Sequence, residues 1–157
     1  MVGPLLDRSK GAEATSAMNQ PSKPLRIYVV EDSPLIRRSL ASVIAEAGGE
    51  LIGVSVDAEG AIRNLVAHHP DVILIDIRLE SGNGFDVLRA LQQYNLVPGA
   101  RKVVITNYAH AEYKELAVKL GADQFFDKTH EMSQAIELIQ MMVEQRRRGI
   151  IATERAH

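Results

Sequence analysis

The stretch VILID (72–76) decides the fold, because four large apolar residues in a row end abruptly in an acid. A continuous apolar run of this length is typical of a β-strand that is buried on both faces, as strands are in a parallel sheet covered by helices. Asp76 would then leave the sheet at the carboxyl end of its most buried strand. We therefore expect the backbone of Asp76 to be held rigidly at the edge of the sheet.

Four further short apolar runs surround VILID along the chain. The predicted strands are 25–30, 51–56, 72–76, 102–106 and 123–127. Between them, apolar residues recur every three or four positions, which predicts amphipathic helices. Ser33 and Pro34 favour the start of the first helix, and Gly48 favours its end. Five strands that alternate with five helices predict an α/β fold with a doubly wound parallel sheet. By analogy, acids after the first and third strands suit the flavodoxin-like strand order 2-1-3-4-5.

The composition of the 157-residue chain is that of one soluble domain, with 46% hydrophobic and 24% charged residues. A formal net charge of −2 gives no general attraction to nucleic acid or to an anionic membrane. The lack of cysteine excludes disulfides, thiol catalysis and cysteine–zinc sites. The sequence has no membrane-spanning apolar run and no stretch resembling a secretory signal, so we expect a cytoplasmic protein without membrane insertion.

The two ends of the chain differ from the region between them. Residues 1–24 are rich in Gly, Pro, Ser, Ala and Lys and show no sustained period, which indicates a flexible N-terminal tail. The folded domain is predicted over 25–147, and 148–157 would form a short C-terminal tail.

Polar side chains follow four of the five predicted strands. Glu31 and Asp32 come after the first strand, Asp76 after the third, Thr106 after the fourth and Lys128 after the fifth. Ligands of open parallel sheets bind beyond the carboxyl ends of the strands, so we expect these side chains to converge. Carboxylates suit Mg²⁺, and an aspartate can attack phosphorus to form an aspartyl phosphate. An ammonium and a hydroxyl would then engage the phosphoryl oxygens.

These motifs resemble the receiver domains of bacterial two-component response regulators, the CheY-like family. The similarity is carried by the acidic pair in VVEDSP (29–34), Asp76 in VILIDIRLESGNGFDVL (72–88), Thr106 in KVVITNYA (102–109), and Lys128 in GADQFFDK (121–128). Each motif is weak alone, but four of them in this order and spacing over residues 25–147 are specific.

The resemblance implies a role for each site residue. Asp76 would be the phosphoacceptor, and Asp32 and Asp76 would bind Mg²⁺ directly. The backbone carbonyl of Arg78 would be the third protein ligand, and Glu31 would contribute through water.

The resemblance also implies a switch and its partners. Thr106 would move toward the phosphoryl group while the ring of Phe125 turns inward behind it. A sensor histidine kinase or a histidine phosphotransfer protein would donate the phosphoryl group. A downstream protein would bind the face formed by the fourth helix, the fifth strand and the fifth helix.

The sequence departs from the family pattern around the site. Thr129 follows Lys128 where most members have proline and a cis peptide bond. A cis bond before a non-proline residue costs about 3 kcal/mol, which leaves the geometry of this loop open. Glu80 replaces a frequent proline after Asp76, and Phe125 replaces the common tyrosine. Arg78 and Tyr108 would flank the pocket and shield the phosphoryl group from water.

Four functions are compatible with these residues to different degrees. Only nine residues follow Arg148, too few for a helix-turn-helix domain, which favours a stand-alone phosphoacceptor switch without direct nucleic-acid binding. The alternative is the truncated receiver of a DNA-binding transcriptional regulator. An aspartate-dependent phosphatase would need a second aspartate where Arg78 stands. A receiver-like module that is never phosphorylated is disfavoured by the intact acids and Lys128.

Overall fold

The computed structural model of the chain describes residues 23–149. Five strands lie within these residues: β1 (Arg26–Val30), β2 (Glu50–Ser55), β3 (Val72–Ile75), β4 (Arg101–Thr106) and β5 (Gln124–Asp127). All strand pairs are parallel, and the sheet has the order β2-β1-β3-β4-β5. The predicted strand order is therefore confirmed. The predicted flexible tails lie almost entirely outside the described residues.

A helix follows each strand. The five helices are α1 (Pro34–Ala47), α2 (Ala58–His68), α3 (Gly84–Gln93), α4 (Ala111–Lys119) and α5 (Met132–Arg147). The start of α1 is as predicted, because Ser33 is the N-cap and its hydroxyl accepts a hydrogen bond from the N–H of Ile36. Its end is also as predicted, because Gly48 adopts a left-handed conformation with φ of 95°. None of the helices within residues 23–149 is long and apolar enough to span a bilayer.

The central strand β3 is buried on both faces, as the sequence VILI predicts. Ile73 and Ile75 pack into a core with α2, α3 and α4, whereas Val72 and Leu74 pack into a second core with α1 and α5. Each large apolar side chain buried in this way contributes about 1.5–3 kcal/mol relative to exposure. The carboxyl end of β3 is therefore held from both sides, and Asp76 follows it directly.

The spacing of apolar residues places Tyr113, Leu116, Ala117 and Leu120 on one face of the fourth helix, but the structure buries them to different degrees. Of these four residues, Ala117 is fully buried, whereas Leu116 and Leu120 are half-buried and Tyr113 is exposed. The ring of Tyr113 packs edge-on against Phe85 and His110 at the surface, with centroid distances of 5.5 and 5.2 Å. Tyr113 therefore packs over the buried ring of Phe85 and beside the exposed ring of His110, and helical spacing alone does not reveal such contacts.

Candidate functional site

The loop after β1 carries two of the acids and is fixed by hydrogen bonds. The N–H of Glu31 donates to the carbonyl of Ser55 at 2.9 Å, which ties the loop to β2. Carboxylate oxygen Oε2 of Glu31 accepts a hydrogen bond from the N–H of Ser33 at 3.1 Å. The guanidinium of Arg37 donates to the carbonyls of Glu31 and Asp32 at 3.1 and 2.9 Å. The acidic pair is thus held by β2 and by the first turns of α1.

The third acid, Asp76, has an equally constrained backbone. Its N–H donates to the carbonyl of Val30 at 2.9 Å, so it continues the pairing of β3 with β1. Gly84 lies so close that an added Cβ would stand 2.4 Å from the carbonyl oxygen of Asp76. The side chain of Asp76 is therefore presented from a backbone that cannot shift without moving the start of α3.

The three acids form one cluster at the carboxyl edge of the sheet. Glu31, Asp32 and Asp76 each place a carboxylate oxygen within 4.8 Å of the others. Glu31 and Asp76 are buried, and Asp32 is half-buried. Like charges at this separation repel one another, and burial adds a desolvation cost for each charged form. Such an arrangement is stable only with a compensating cation.

Lys128 brings the cation that the cluster requires. Its Nζ donates to Oε1 of Glu31 at 2.5 Å and to Oδ2 of Asp76 at 2.8 Å. The backbone N–H of Lys128 donates to the carbonyl of Thr106, which anchors the residue to the end of β4. The ammonium therefore links loops that follow β1, β3 and β5.

The pKa shifts of this buried pair reflect its surroundings. Burial by itself lowers the pKa of Lys128, but the hydrogen bonds and charges of Asp76 and Glu31 outweigh burial and raise it. Burial raises the pKa of Glu31, and hydrogen bonds from Lys128 and Ser33 offset only part of that effect. The side chain of Lys128 is consequently an ammonium at neutral pH.

The peptide bond between Lys128 and Thr129 is trans, as are all peptide bonds in residues 23–149. The loop nevertheless brings Lys128 to both buried carboxylates. A proline after the lysine is therefore not needed for this contact.

The remaining predicted residues surround the cluster in different ways. Thr106 is fully buried at the end of β4, and its hydroxyl accepts a hydrogen bond from the N–H of Tyr108. Phe125 is buried in the core shared with α4. Arg78 and Tyr108 line the cleft above the acids, together with Asn107, but Thr106 is not among the lining residues described. The predicted roles of Thr106, Phe125 and the Arg78 carbonyl stay predictions.

Arg78 and Tyr108 contact each other directly. The Arg78 guanidinium donates to the Tyr108 hydroxyl and lies 5.6 Å from the centre of its ring. The N–H of Arg78 also approaches Oδ1 of Asp76 at 3.4 Å. The two side chains therefore form a pair at the mouth of the cleft, as the flanking positions in the sequence suggest.

Arg37 belongs to the site but was not predicted from the sequence. Its position in the sequence does give a signal. A cation near a helix N-terminus is disfavoured by the helix dipole, so such a side chain is expected to have another hydrogen-bond partner. That partner is the pair of carbonyl groups on the acidic loop.

Comparisons with known proteins agree with this geometry. A family model for the response regulator receiver domain matches residues 27–140. The chain is 30% identical over 131 residues to the transcriptional regulatory protein PdtaR of Mycobacterium tuberculosis, a match covering 83% of this chain. The chain spans 62% of the length of PdtaR.

Two shorter proteins match over nearly their whole length. The chemotaxis protein CheY of Thermotoga maritima is 25% identical over 114 residues, covering 73% of this chain and 93% of CheY. The crystal structure of a CheY-like receiver domain protein from Methanospirillum hungatei has the same fold, with a TM-score of 0.68 and 22% identity. That superposition covers 81% of this chain and 99% of the other. The chain belongs to the response regulator receiver domains of two-component signalling systems.

Proposed function

We propose that the chain is a Mg²⁺-dependent phosphoacceptor switch in a two-component phosphorelay, with Asp76 as the residue that accepts the phosphoryl group. The observation that carries the proposal is the buried ammonium of Lys128, which bonds to Asp76 and Glu31 inside a cluster of three carboxylates. A purely structural ion pair needs one acid for one cation. Two further acids lower the stability of the fold through repulsion and desolvation, unless a divalent cation and a phosphoryl group bind to them.

The transfer step follows from the positions of these groups. A carboxylate oxygen of Asp76 attacks phosphorus in a phosphohistidine, forming an O–P bond as the P–N bond breaks. The electron pair of the broken bond stays on the imidazole nitrogen, a proton carried by the other ring nitrogen lets the ring leave as neutral imidazole, and no oxidant is required. Lys128, which remains an ammonium, neutralises a phosphoryl oxygen, and in-line positioning supplies much of the remaining acceleration.

The donor set fits Mg²⁺, a hard ion that binds carboxylate and carbonyl oxygens. Asp32 and Asp76 would bind the ion directly, the carbonyl of Arg78 would be a third ligand, and Glu31 would act through water. Bound Mg²⁺ would supply positive charge next to the transferring group. The Glu31 side chain already engages Lys128 and Ser33 through its two oxygens, which supports its assignment to the outer position.

The switch and its partners follow from the same assignment. A new phosphoryl group beside Thr106 would favour a different position of its hydroxyl and of Phe125, the residue behind it. A sensor histidine kinase or a histidine phosphotransfer protein would be the donor. A downstream protein would bind the face formed by α4, β5 and α5, where Val118 and Met141 are exposed.

Two outputs are compatible with this switch. In the first the chain acts as a stand-alone regulator, and in the second it is the receiver of a DNA-binding transcriptional regulator. The similarity to CheY supports the first output, and the similarity to PdtaR, a transcriptional regulatory protein, supports the second. The reading frame after His157 distinguishes them, because only the second output requires a further domain.

A phosphatase that turns over phosphate esters is a weaker candidate. Such an enzyme needs a general acid two residues after the nucleophile, and Arg78 occupies that position. A guanidinium is too weak an acid to protonate a leaving group near neutral pH, and its hydrogen bond to the Tyr108 hydroxyl raises the pKa of Arg78 further. Sustained multiple turnover of a phosphate ester would revive this reading.

The test is phosphorylation by acetyl phosphate and Mg²⁺, followed by intact mass. The wild type is expected to gain about 80 Da, one phosphoryl group, and to lose this gain when EDTA replaces Mg²⁺. Asp76→Asn is expected to show no gain. Asp57→Asn is the matched control, since Asp57 lies at the same edge of the sheet and only caps α2. Absence of the adduct in wild type, or its persistence in Asp76→Asn, would overturn the assignment.

A further inference from the structure

The loop after β5 is braced by the side chain of Asp127, the residue before Lys128. Oδ1 of Asp127 accepts a hydrogen bond from the N–H of Thr129 at 2.8 Å. Oδ2 lies 3.0 Å from Nδ1 of His130. One carboxylate therefore bonds to the two residues that follow Lys128, and the chain turns around the lysine.

The backbone on both sides of Lys128 is fixed as well. The N–H of Asp127 donates to Oε1 of Glu131 at 2.9 Å, and the N–H of Glu131 donates back to the carbonyl of Asp127 at 2.7 Å. The N–H of Lys128 donates to Thr106. The Cα of Lys128 is therefore held in one place while its side chain extends to the acid cluster.

Thr129 makes this bracing possible. A proline at that position would have no N–H to donate, so it could not form the bond to Asp127. Thr129 also contacts Asn107 through its hydroxyl at 3.4 Å, which links the loop to the residue after Thr106. This chain thus uses a side-chain hydrogen bond where a proline ring would otherwise restrict the loop.

We propose that Asp127 is a positioning residue that aims the ammonium of Lys128 at Asp76 and Glu31. The inference rests on the proposed function in assigning Lys128 a part in phosphoryl transfer, but the contact itself exists without phosphorylation. The bond from Nζ to two buried carboxylates needs an accurate direction, because each acceptor belongs to a different loop. Loss of the brace frees the lysine to leave the cluster.

This role predicts opposite effects on two properties. Phosphoryl transfer slows, because the ammonium no longer neutralises the transferring group. Mg²⁺ binds more tightly, because an ammonium that has left the cluster no longer competes for the carboxylates. Generic damage to the fold would weaken both properties together.

The experiment compares Asp127→Ala with Asp123→Ala in the full chain. Asp123 is the matched control, because it also accepts a backbone N–H, that of Lys102, but at the far end of β5. We expect Asp127→Ala to be phosphorylated by acetyl phosphate roughly tenfold more slowly, as for the loss of a charge-assisted hydrogen bond. Its affinity for Mg²⁺ alone, measured by calorimetry, should rise at least about twofold. Asp123→Ala should match the wild type in both assays.

Asp127→Asn provides a folded intermediate if the alanine variant is unstable. The asparagine keeps an acceptor for the N–H of Thr129 and loses the charge facing His130, so its effects should be smaller than those of Asp127→Ala in both assays. Asp127→Ala in a Lys128→Met background should change neither the rate of phosphorylation nor the affinity for Mg²⁺, because Asp127 acts through Lys128. Equal effects of Asp127→Ala in both backgrounds, or weakened Mg²⁺ binding, would overturn the inference.

A direct readout separates this inference from the proposed function. The NH₃⁺ resonance of Lys128 should be protected from solvent exchange in metal-free wild type and should lose that protection in Asp127→Ala. If the wild type takes up no phosphate, the proposed function fails while this measurement still decides the position of Lys128. An unchanged Lys128 resonance in Asp127→Ala would show that Asp127 does not aim the ammonium.

Discussion

The acids at the two edges of the sheet have opposite environments. At the amino edge, Asp71 and Asp123 each precede a strand and accept a backbone N–H from the neighbouring strand, at 2.9 and 2.8 Å. Arg146 adds a cation to Asp71 at 3.0 Å. At the carboxyl edge, three carboxylates share the ammonium of Lys128. The amino edge is locally satisfied, whereas the carboxyl edge concentrates negative charge around one cation.

This difference distinguishes acids that the fold satisfies locally from acids that the fold leaves crowded together. An acid that accepts a neighbouring strand's N–H fixes strand register and needs no further ligand. Acids that crowd one another cost stability, and such a cost is retained where binding or chemistry uses it. The role of an acid is therefore indicated less by its charge than by the number of donors that compensate this charge.

The largest expected effect comes from removing the cation at each edge. Lys128→Met leaves Glu31 and Asp76 buried without their partner, so the free energy of unfolding should fall by about 3 kcal/mol or more without Mg²⁺. Arg146→Met should cost about 1 kcal/mol, because Asp71 keeps its bond to the N–H of Arg26. Urea unfolding of both variants in EDTA measures the two losses.

Magnesium provides the control for this comparison. Saturating Mg²⁺ should restore most of the stability of Lys128→Met, because the ion replaces the missing positive charge and binds only the folded state. It should change the difference between Arg146→Met and the wild type very little. Equal losses at the two edges in EDTA would contradict the distinction drawn between them.

Substitution of one glycine at each edge by alanine is expected to give the next largest loss of stability. In Gly84→Ala the new Cβ would stand 2.4 Å from the Asp76 carbonyl oxygen, so backbone must move, at a cost of about 2 kcal/mol or more. In Gly121→Ala, near the amino edge, the nearest atom would lie at 3.7 Å and only the positive φ is unfavourable, at about 1 kcal/mol. Thermal unfolding and acetyl phosphate labelling of both variants test this.

The labelling separates local from general damage. Gly84→Ala should lower the rate of phosphorylation, because the displaced backbone carries Asp76, the proposed phosphoacceptor. Gly121→Ala should keep the wild-type rate despite its lower stability. Similar rates in the two variants would show that the approach of Gly84 to Asp76 does not position the nucleophile.

The fold was predictable because its signals are local. The run Val72–Ile75, the cap at Ser33 and the left-handed Gly48 each determine a nearby element through periodicity or backbone chemistry. The acids at the strand ends were predictable for a related reason, since parallel strands bring their carboxyl ends to one edge. Position along the chain was sufficient to predict that Glu31, Asp32 and Asp76 lie together.

The contacts that support the site were not predictable in this way. Arg37 bonds to carbonyl groups, and every residue has a carbonyl, so no sequence pattern marks its acceptors. Asp127 acts on the N–H of Thr129, a contact that depends on the turn formed after β5. The position of Tyr113 depends on two aromatic neighbours, Phe85 and His110. Each case is decided by tertiary geometry after the elements have packed.

The smallest expected effect is a pH dependence that belongs to the carboxyl edge. The pKa of Lys128 in the folded protein is raised above its ordinary value of 10.5, so the folded state holds this proton more tightly than the unfolded state. The stability that Lys128 contributes is therefore fully present below pH 10.5 and is lost as pH rises through the folded pKa.

Urea unfolding in EDTA from pH 8 to about pH 11 measures this loss for wild type and Lys128→Met. The stability difference between them should be constant near neutral pH and should shrink at the alkaline end, because the other titrating groups are common to both proteins. Arg146→Met should show no such convergence with the wild type, since a guanidinium keeps its proton throughout this range. A constant difference for Lys128→Met would mean that the methyl group, and not the missing charge, accounts for its instability. The carboxyl edge would then resemble the amino edge more closely than the distances indicate.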